Sequence, residues 1–152
     1  VYRIAFLHMK NKSDAEDAVQ NVFMKYLALK PEFANSSHEK SWFILTVRNH
    51  CRDMLKHWWT ARRTDEEPEI YTEFEMKVDG EVTAALLHIP DKYRELIYLY
   101  YYEEYSAREI AAMIHKNEST VRTQLARGRE KLKKILETGV EQNENKNVIS
   151  SI

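Results

Sequence analysis

The sequence predicts an all-α protein of two small helical domains joined by a flexible acidic linker. Apolar residues recur at the three- and four-residue spacing of amphipathic helices along most of the chain. Only three Gly and three Pro occur among 152 residues, which favours helices over β-turns. Charge separates the parts: residues 1–63 carry 11 Lys and Arg against 6 Asp and Glu, residues 64–83 carry 1 against 8, and residues 84–137 carry 10 against 8. The net charge of −1 therefore conceals two basic modules around an acidic connector.

The first domain, residues 1–63, is expected to contain three helices. Val1 already belongs to a helical pattern, so we expect native residues to precede it. Residues 11–14 predict a turn and cap before a second helix, which Pro31 ends. After a polar loop at 33–38, the spacing predicts a third helix from Lys40 to Arg62.

A linker and a second domain follow. Residues 64–79 are acidic and contain Pro68, which predicts a flexible tether. Helical patterning resumes near Gly80 and continues to residue 137, with another helix starting at Pro90 and Asp91. Residues 138–152 are rich in Asn, Glu and Ser and are expected to form a disordered tail.

Residues 105–129 predict a helix-turn-helix. Ser106 and Glu109 have the spacing of a capping box, and Asn117 can cap the second helix. Val121 and Leu125 form the inward face of that helix. Its outward face carries Arg122, Thr123, Gln124, Arg127 and Arg129. Hydrogen-bonding and cationic side chains on such a face suit the major groove of DNA. A helical hairpin with a merely solvated basic face is the alternative.

Composition and spacing disfavour other classes. A single cysteine, Cys51, excludes a disulfide framework and suits a reducing compartment. No apolar run is long enough to span a membrane, and no signal peptide is visible. The six His show no zinc-binding spacing, and the three Gly form no phosphate loop, so we expect no enzyme, metal or cofactor.

Two motif blocks resemble the extracytoplasmic-function (ECF) σ factors of bacterial RNA polymerase. Residues 89–106 together with the helix-turn-helix resemble region 4 of that family. Residues 14–23 resemble the region 2 helix that docks on core polymerase, and residues 41–53 resemble its promoter-opening helix. The resemblance covers roughly residues 1–137. It implies a cytoplasmic bacterial transcription initiation factor, monomeric when free, that binds core RNA polymerase, duplex and melted promoter DNA, and an anti-σ factor.

The resemblance also implies three sets of contacts. The upstream (−35) duplex would be read from residues 80–137 by Lys116, Ser119, Thr120, Arg122, Thr123, Gln124, Arg127 and Arg129. The downstream (−10) element, with a base flipped from the opening duplex, would be bound within residues 1–63 by Asn35, Ser36, Ser37, His38, Trp42, Arg48, Asn49 and Arg52. Core polymerase would be bound by Asp17, Gln20, Asn21 and Met24.

Two positions depart from the family pattern. His115 and Lys116 stand in the turn where a Gly and an apolar residue are usual, although the turn requires a positive φ. Two other functions remain open at this point: a stand-alone helix-turn-helix regulator that needs no polymerase, and an adaptor whose basic helix binds an acidic protein.

Overall fold

A computed structural model of the chain describes residues 1–61 and 80–150, and seven α-helices account for most of them. No β-strand occurs in these two ranges, so the prediction of an all-α fold is confirmed there. The chain divides into two units, Val1–Phe74 and Glu75–Ile152. The predicted linker, 64–79, contains that boundary and lies outside the described residues.

The described part of the first unit contains three helices: α1 (Tyr2–Met9), α2 (Lys12–Leu29) and α3 (Ser36–Ala61). Helix α1 packs against both α2 and α3, and its residues from Ile4 to Met9 are all buried. On α2 the buried residues are small (Ala15, Ala18 and Val22), which lets the helices approach closely. Helix α3 contributes Ile44, Val47 and Cys51 to the same core.

The ends of α2 follow from its flanking residues. Asn11 is the N-cap, and its side-chain oxygen accepts a hydrogen bond of 2.9 Å from the Asp14 backbone N–H. This is the cap predicted within residues 11–14. At the other end Lys30 adopts a left-handed conformation directly before Pro31, which cannot continue the helix.

Helix α3 begins earlier than predicted. The sequence predicts a loop through His38, but the helix starts at Ser36. Asn35 acts as the cap: its side-chain oxygen accepts from the His38 backbone N–H at 2.9 Å, and its carbonyl accepts from the Glu39 N–H at 3.1 Å. The Asn-Ser-Ser run is therefore a helix start, which favours the same residue types as a loop.

Between residues 80 and 150 the second unit contains four helices: α4 (Gly80–Leu87), α5 (Asp91–Tyr101), α6 (Ala107–Met113) and α7 (Glu118–Ser150). Its core combines Leu86 of α4, Leu96 and Leu99 of α5, Ile110 of α6, and Val121 and Leu125 of α7. Helix α7 extends beyond residue 138, where the sequence predicts a disordered tail. The Glu, Gln and Lys of this segment are good helix formers, and the lone Gly139 does not end the helix.

A buried arginine joins α4 to α5, and the sequence analysis gives no role to it. The Arg94 side chain is 3% exposed, and Nε donates to the Leu86 carbonyl at 2.9 Å while Nη2 donates to the Ile89 carbonyl at 2.8 Å. These carbonyls lie at and just after the end of α4, where the regular helical donors are missing, and the Leu86 carbonyl also accepts from the Ile89 N–H at 3.3 Å. Burial lowers the pKa of Arg94, and the carboxylate of Asp91, 3.3 Å away, opposes that shift.

Candidate nucleic-acid interface

The helix-turn-helix has the local structure that the sequence predicts. The Ser106 hydroxyl accepts from the Glu109 N–H at 3.2 Å, and the Glu109 carboxylate accepts from the Ser106 N–H at 2.8 Å, so the capping box is confirmed. Helix α6 ends at Met113 with Ile114 as its C-cap, and the next residue, His115, is left-handed with φ of 53°. The Lys116 N–H then donates to the Ala111 carbonyl at 2.9 Å, which closes the helix end.

Helix α7 presents most of the predicted upstream-contact residues to solvent. Val121 and Leu125 are buried, as the sequence predicts. Seven predicted residues are exposed on α7 or in the turn before it: Lys116, Ser119, Thr120, Arg122, Thr123, Arg127 and Arg129. They form a continuous polar surface on one side of the helix-turn-helix.

Gln124 is the exception, and its predicted outward orientation is wrong. The residue is half-buried, and its side-chain oxygen is inaccessible and has no hydrogen-bond partner in the described part of the chain. Gln124 stands one turn before Gly128, which packs against α5, so the two lie on the inward side of α7. A side chain in this orientation cannot read adenine.

Internal contacts orient several of the exposed side chains on α7. Glu118 accepts from Arg122 Nε at 2.9 Å and from Nη2 at 2.5 Å. The Thr123 hydroxyl donates to the Ser119 carbonyl at 2.9 Å, so its methyl group and both oxygen lone pairs remain for a ligand. These contacts reduce the freedom that the side chains would lose on binding DNA.

Tyrosines of α5 support two cations of α7. Arg129 Nη1 donates to the Tyr101 hydroxyl at 3.1 Å. Burial acts to raise the pKa of the Tyr93 hydroxyl, but hydrogen bonds and positive charge from Lys92 and Arg127 outweigh it, so the pKa lies below its usual value. The Tyr101 contact thus holds Arg129 beside the face that carries Arg122, and Arg127 lies close enough to Tyr93 to influence its pKa.

The predicted downstream-contact residues fall into two groups in the first unit. The first group surrounds the start of α3. The Phe33 ring lies 6.4 Å from Tyr26, 5.9 Å from Trp42 and 5.4 Å from His38, measured between ring centres. His38 Nδ1 also accepts from the Ala34 N–H at 3.3 Å. Asn35, Ser36, Ser37 and His38 are all exposed next to this aromatic cluster.

The second group lies further along α3, and the structure corrects one member. Arg48 is 8% exposed and donates to Asn49 at 3.2 Å, so it is a buried residue and not a surface contact. Its position one residue after Val47 and three before Cys51, both fully buried, turns it inward. Asn49 and Arg52 are exposed, and Lys56 shares their side of the helix one turn later.

Helix α2 exposes all four predicted polymerase-contact residues: Asp17, Gln20, Asn21 and Met24. It also exposes large apolar residues that share the helical spacing of the buried Val22. Phe23 is 45% exposed and Leu27 is 66% exposed. The apolar stripe of α2 is therefore wider than the surface that α1 and α3 cover. An over-wide stripe is the sequence signal that could have revealed a docking face.

Two features are absent from the described ranges. No group of three or more His, Cys, Asp or Glu is placed to hold a metal ion there. No described helix is long and apolar enough to cross a membrane.

The cation-bearing helix-turn-helix, carried on one chain with a separate helical unit, defines a helix-turn-helix DNA-binding protein. The profile described as "Sigma-70 region 2" matches residues 1–60, and the profile "Sigma-70, region 4" matches residues 79–132. The RNA polymerase sigma factor SigV of Bacillus subtilis is 33% identical over 132 residues, which cover 83% of this chain and 78% of the relative. The chain belongs to the RNA polymerase σ factors, in the ECF group.

Two further similarities agree with this assignment. The ECF RNA polymerase sigma factor SigM of Bacillus subtilis is 27% identical over 149 residues, which cover 92% of this chain and 90% of the relative. The solved structure of the sigma factor RpoE in complex with the anti-sigma factor NepR from Bartonella quintana has a TM-score of 0.70 and 22% identity, over 90% of this chain and 89% of that one. This last similarity concerns the fold alone. The predicted σ-factor function is confirmed. These similarities do not favour the alternative, a stand-alone helix-turn-helix regulator, over a σ factor.

Proposed function

We propose that this σ factor reads the upstream promoter element with the exposed side of α7. The observation that carries the proposal is the row of exposed donors on the second helix of a well-capped helix-turn-helix. Arg122 and Arg127 can each pair with guanine, and the Thr123 methyl group can contact thymine. Lys116 and Arg129 lie at the edges of this surface, where phosphate contacts would position the helix without specifying sequence.

The downstream element is bound by the first unit in this proposal. An unstacked base would lie against the aromatic cluster of Phe33 and Trp42, since stacking on aromatic rings repays part of the cost of unstacking. Asn35 uses its oxygen to cap α3, which leaves its NH₂ group to donate to a base. The hydroxyls of Ser36 and Ser37 stand at the start of α3, where the helix dipole favours a phosphate.

Two further surfaces complete the assignment. Asn49, Arg52 and Lys56 form a stripe on α3 that suits the phosphate backbone next to the melted bases. Arg48 supports α3 from inside. On α2 an acidic start and exposed apolar side chains, including Met24 and Leu27, suit a protein partner better than DNA, because DNA phosphates would be repelled. We assign this face to core polymerase.

The proposal also covers how the protein acts, where it acts and how it is regulated. The protein acts by binding energy, with no catalytic group of its own, in the bacterial cytoplasm where RNA polymerase works. It is a monomer when free, and an anti-σ factor restrains it until a signal arrives. The acidic residues 64–79 tether the −10-binding and −35-binding domains.

Runoff transcription with core polymerase and a pool of promoters tests the proposal. The chain should start transcripts at defined sites only when core is present. Arg127→Ala should weaken use of the selected upstream element by about 5- to 150-fold, which corresponds to about 1–3 kcal/mol. Lys133→Ala is the matched control. It removes a positive charge from the same helix at a residue that follows the proposed DNA-contact residues. Transcription that does not depend on the upstream sequence would refute the role of α7.

The polymerase face is tested separately. Met24→Glu and Leu27→Glu should each weaken binding to core without changing the fold, because both side chains are 66% exposed. Glu32→Lys, a charge change at an exposed position just beyond α2, serves as the control. Equal core affinity in all of these variants would remove this face from the proposal.

A further inference from the structure

Arg122 is held by an acidic residue on the very surface that the proposed function assigns to DNA. Glu118 begins α7, and Arg122 follows one turn later. Both hydrogen bonds between them end on one carboxylate oxygen, Oε1, from Nε at 2.9 Å and from Nη2 at 2.5 Å. The Arg122 side chain remains 68% exposed and that of Glu118 39% exposed. The pair therefore lies at the surface, on the part of a recognition helix that enters the groove.

Stability accounts for only a small part of this arrangement, because an exposed carboxylate in the first turn of α7 gains little from the helix dipole. An exposed pair at this spacing contributes little to folding, and a carboxylate on a DNA-binding face repels phosphate. Its geometric consequence is larger. A guanidinium has five N–H groups in a rigid plane, and the carboxylate occupies the edge formed by Nε and Nη2. The opposite edge, formed by Nη1 and the outer N–H of Nη2, has the spacing of guanine O6 and N7.

We propose that Glu118 is a positioning residue: it grips Arg122 by one edge so that the other edge is presented to a guanine of the upstream duplex. This inference rests on the proposed role of α7. The carboxylate also cancels the charge of Arg122, which weakens its attraction to phosphates while leaving its hydrogen-bonding geometry intact. Glu118 thus lowers the affinity for DNA of any sequence and increases the discrimination between bases.

The test uses holoenzyme, reconstituted from core polymerase and the full chain, to select from duplexes randomised over the upstream element. Wild type should prefer guanine at one position by about tenfold or more. Glu118→Gln should reduce that preference to about two- to threefold, and it should strengthen binding to non-specific duplex, with the salt dependence steeper by about one phosphate contact. If Glu118 only stabilised the fold, Glu118→Gln would not strengthen binding to non-specific duplex while it weakened the base preference.

Two companion variants make the result decisive. Glu130→Gln removes the same charge from α7, at a residue that lies 3.1 Å from Lys134 and not beside Arg122, and should leave the base preference unchanged. Arg122→Ala should abolish the preference, and Glu118→Gln should then have no further effect on it. Hydrogen exchange of α6 and α7 checks that each variant is folded.

The failures are distinguishable. If Arg122→Ala abolishes the guanine preference and Glu118→Gln does not reduce it, Arg122 reads the base unaided and this inference is wrong, while the proposed function stands. If Glu118→Gln still changes base preference in the Arg122→Ala background, Glu118 contacts DNA itself and the inference is again wrong. If neither Arg122→Ala nor Arg127→Ala affects sequence selection, the proposed role of α7 fails.

Discussion

Gly128 sets how closely α7 approaches α5, and adding one methyl group there should destabilise the second unit. A Cβ atom built at Gly128 would lie 2.8 Å from Ile97 Cδ1, 3.1 Å from Tyr93 Cβ and 3.3 Å from Ile97 Cγ1. The first distance is too short for a non-bonded contact between two carbon atoms. The second involves an atom attached to the backbone of α5, which cannot move away by side-chain rotation.

Two opposing terms determine the size of the effect of Gly128→Ala. Overpacking a well-filled core costs about 1–3 kcal/mol. Alanine is better than glycine inside a helix by about 1 kcal/mol. We expect a net loss of about 1 kcal/mol in the free energy of unfolding of the second unit. On an exposed helix face the same substitution would be stabilising, so the sign of the change reports the packing.

Ile97→Val provides the matched background because it removes the Cδ1 atom at the shortest contact. On its own it should cost about 1 kcal/mol. Combined with Gly128→Ala it should cost less than the sum of the two single changes, with a coupling of about 1 kcal/mol. Hydrogen exchange of the full chain in urea measures α5 and α7 directly, and the peptides of α1 and α2 serve as an internal control. Additive effects, or a stabilising Gly128→Ala in the wild-type background, would refute the reasoning.

Three further predictions concern the second unit. Arg94→Met should cost about 2–3 kcal/mol in urea unfolding, because it leaves the buried Ile89 carbonyl without a donor and leaves the Leu86 carbonyl with only the Ile89 N–H, and Arg94→Lys should recover only part of this loss. His115→Gly should stabilise the unit by about 1 kcal/mol in thermal unfolding, because φ is positive there, whereas His115→Ala should not. Hydrogen bonds from the Ser106 hydroxyl and backbone lower the pKa of Glu109. Its stabilising effect should therefore be present above about pH 4.3 and be lost as the pH falls through the folded-state pKa. Helicity followed by circular dichroism should lose this pH dependence in Glu109→Gln.

Local signals made parts of this fold predictable. The capping box at Ser106 and Glu109 depends only on residues three apart, so spacing is enough to find it. The positive φ of His115 follows likewise from the geometry that the turn requires. The start of α3 was missed because Asn35 caps a helix with the same chemistry that would favour a loop.

Tertiary contacts decide what local patterns cannot. Arg48 and Arg94 have the same side chain as Arg122, yet the first two are buried and the third is 68% exposed. Which face of a helix is covered depends on neighbours that are distant in sequence. For the same reason the outward orientation predicted for Gln124 was wrong, because α5 covers its side of α7 through the close contact at Gly128.

The charge on α7 also has to be judged residue by residue. Lys134 lies 3.1 Å from Glu130, Lys133 lies 3.7 Å from Glu137, and Arg122 is bound to Glu118. Counting Lys and Arg therefore overstates the attraction of this helix for a phosphate backbone, although it leaves the donor geometry of each side chain intact. In the proposed function, core polymerase and the first unit also bind the promoter DNA. A recognition helix in that assembly needs to discriminate between bases more than it needs to hold the duplex, and paired cations suit that task.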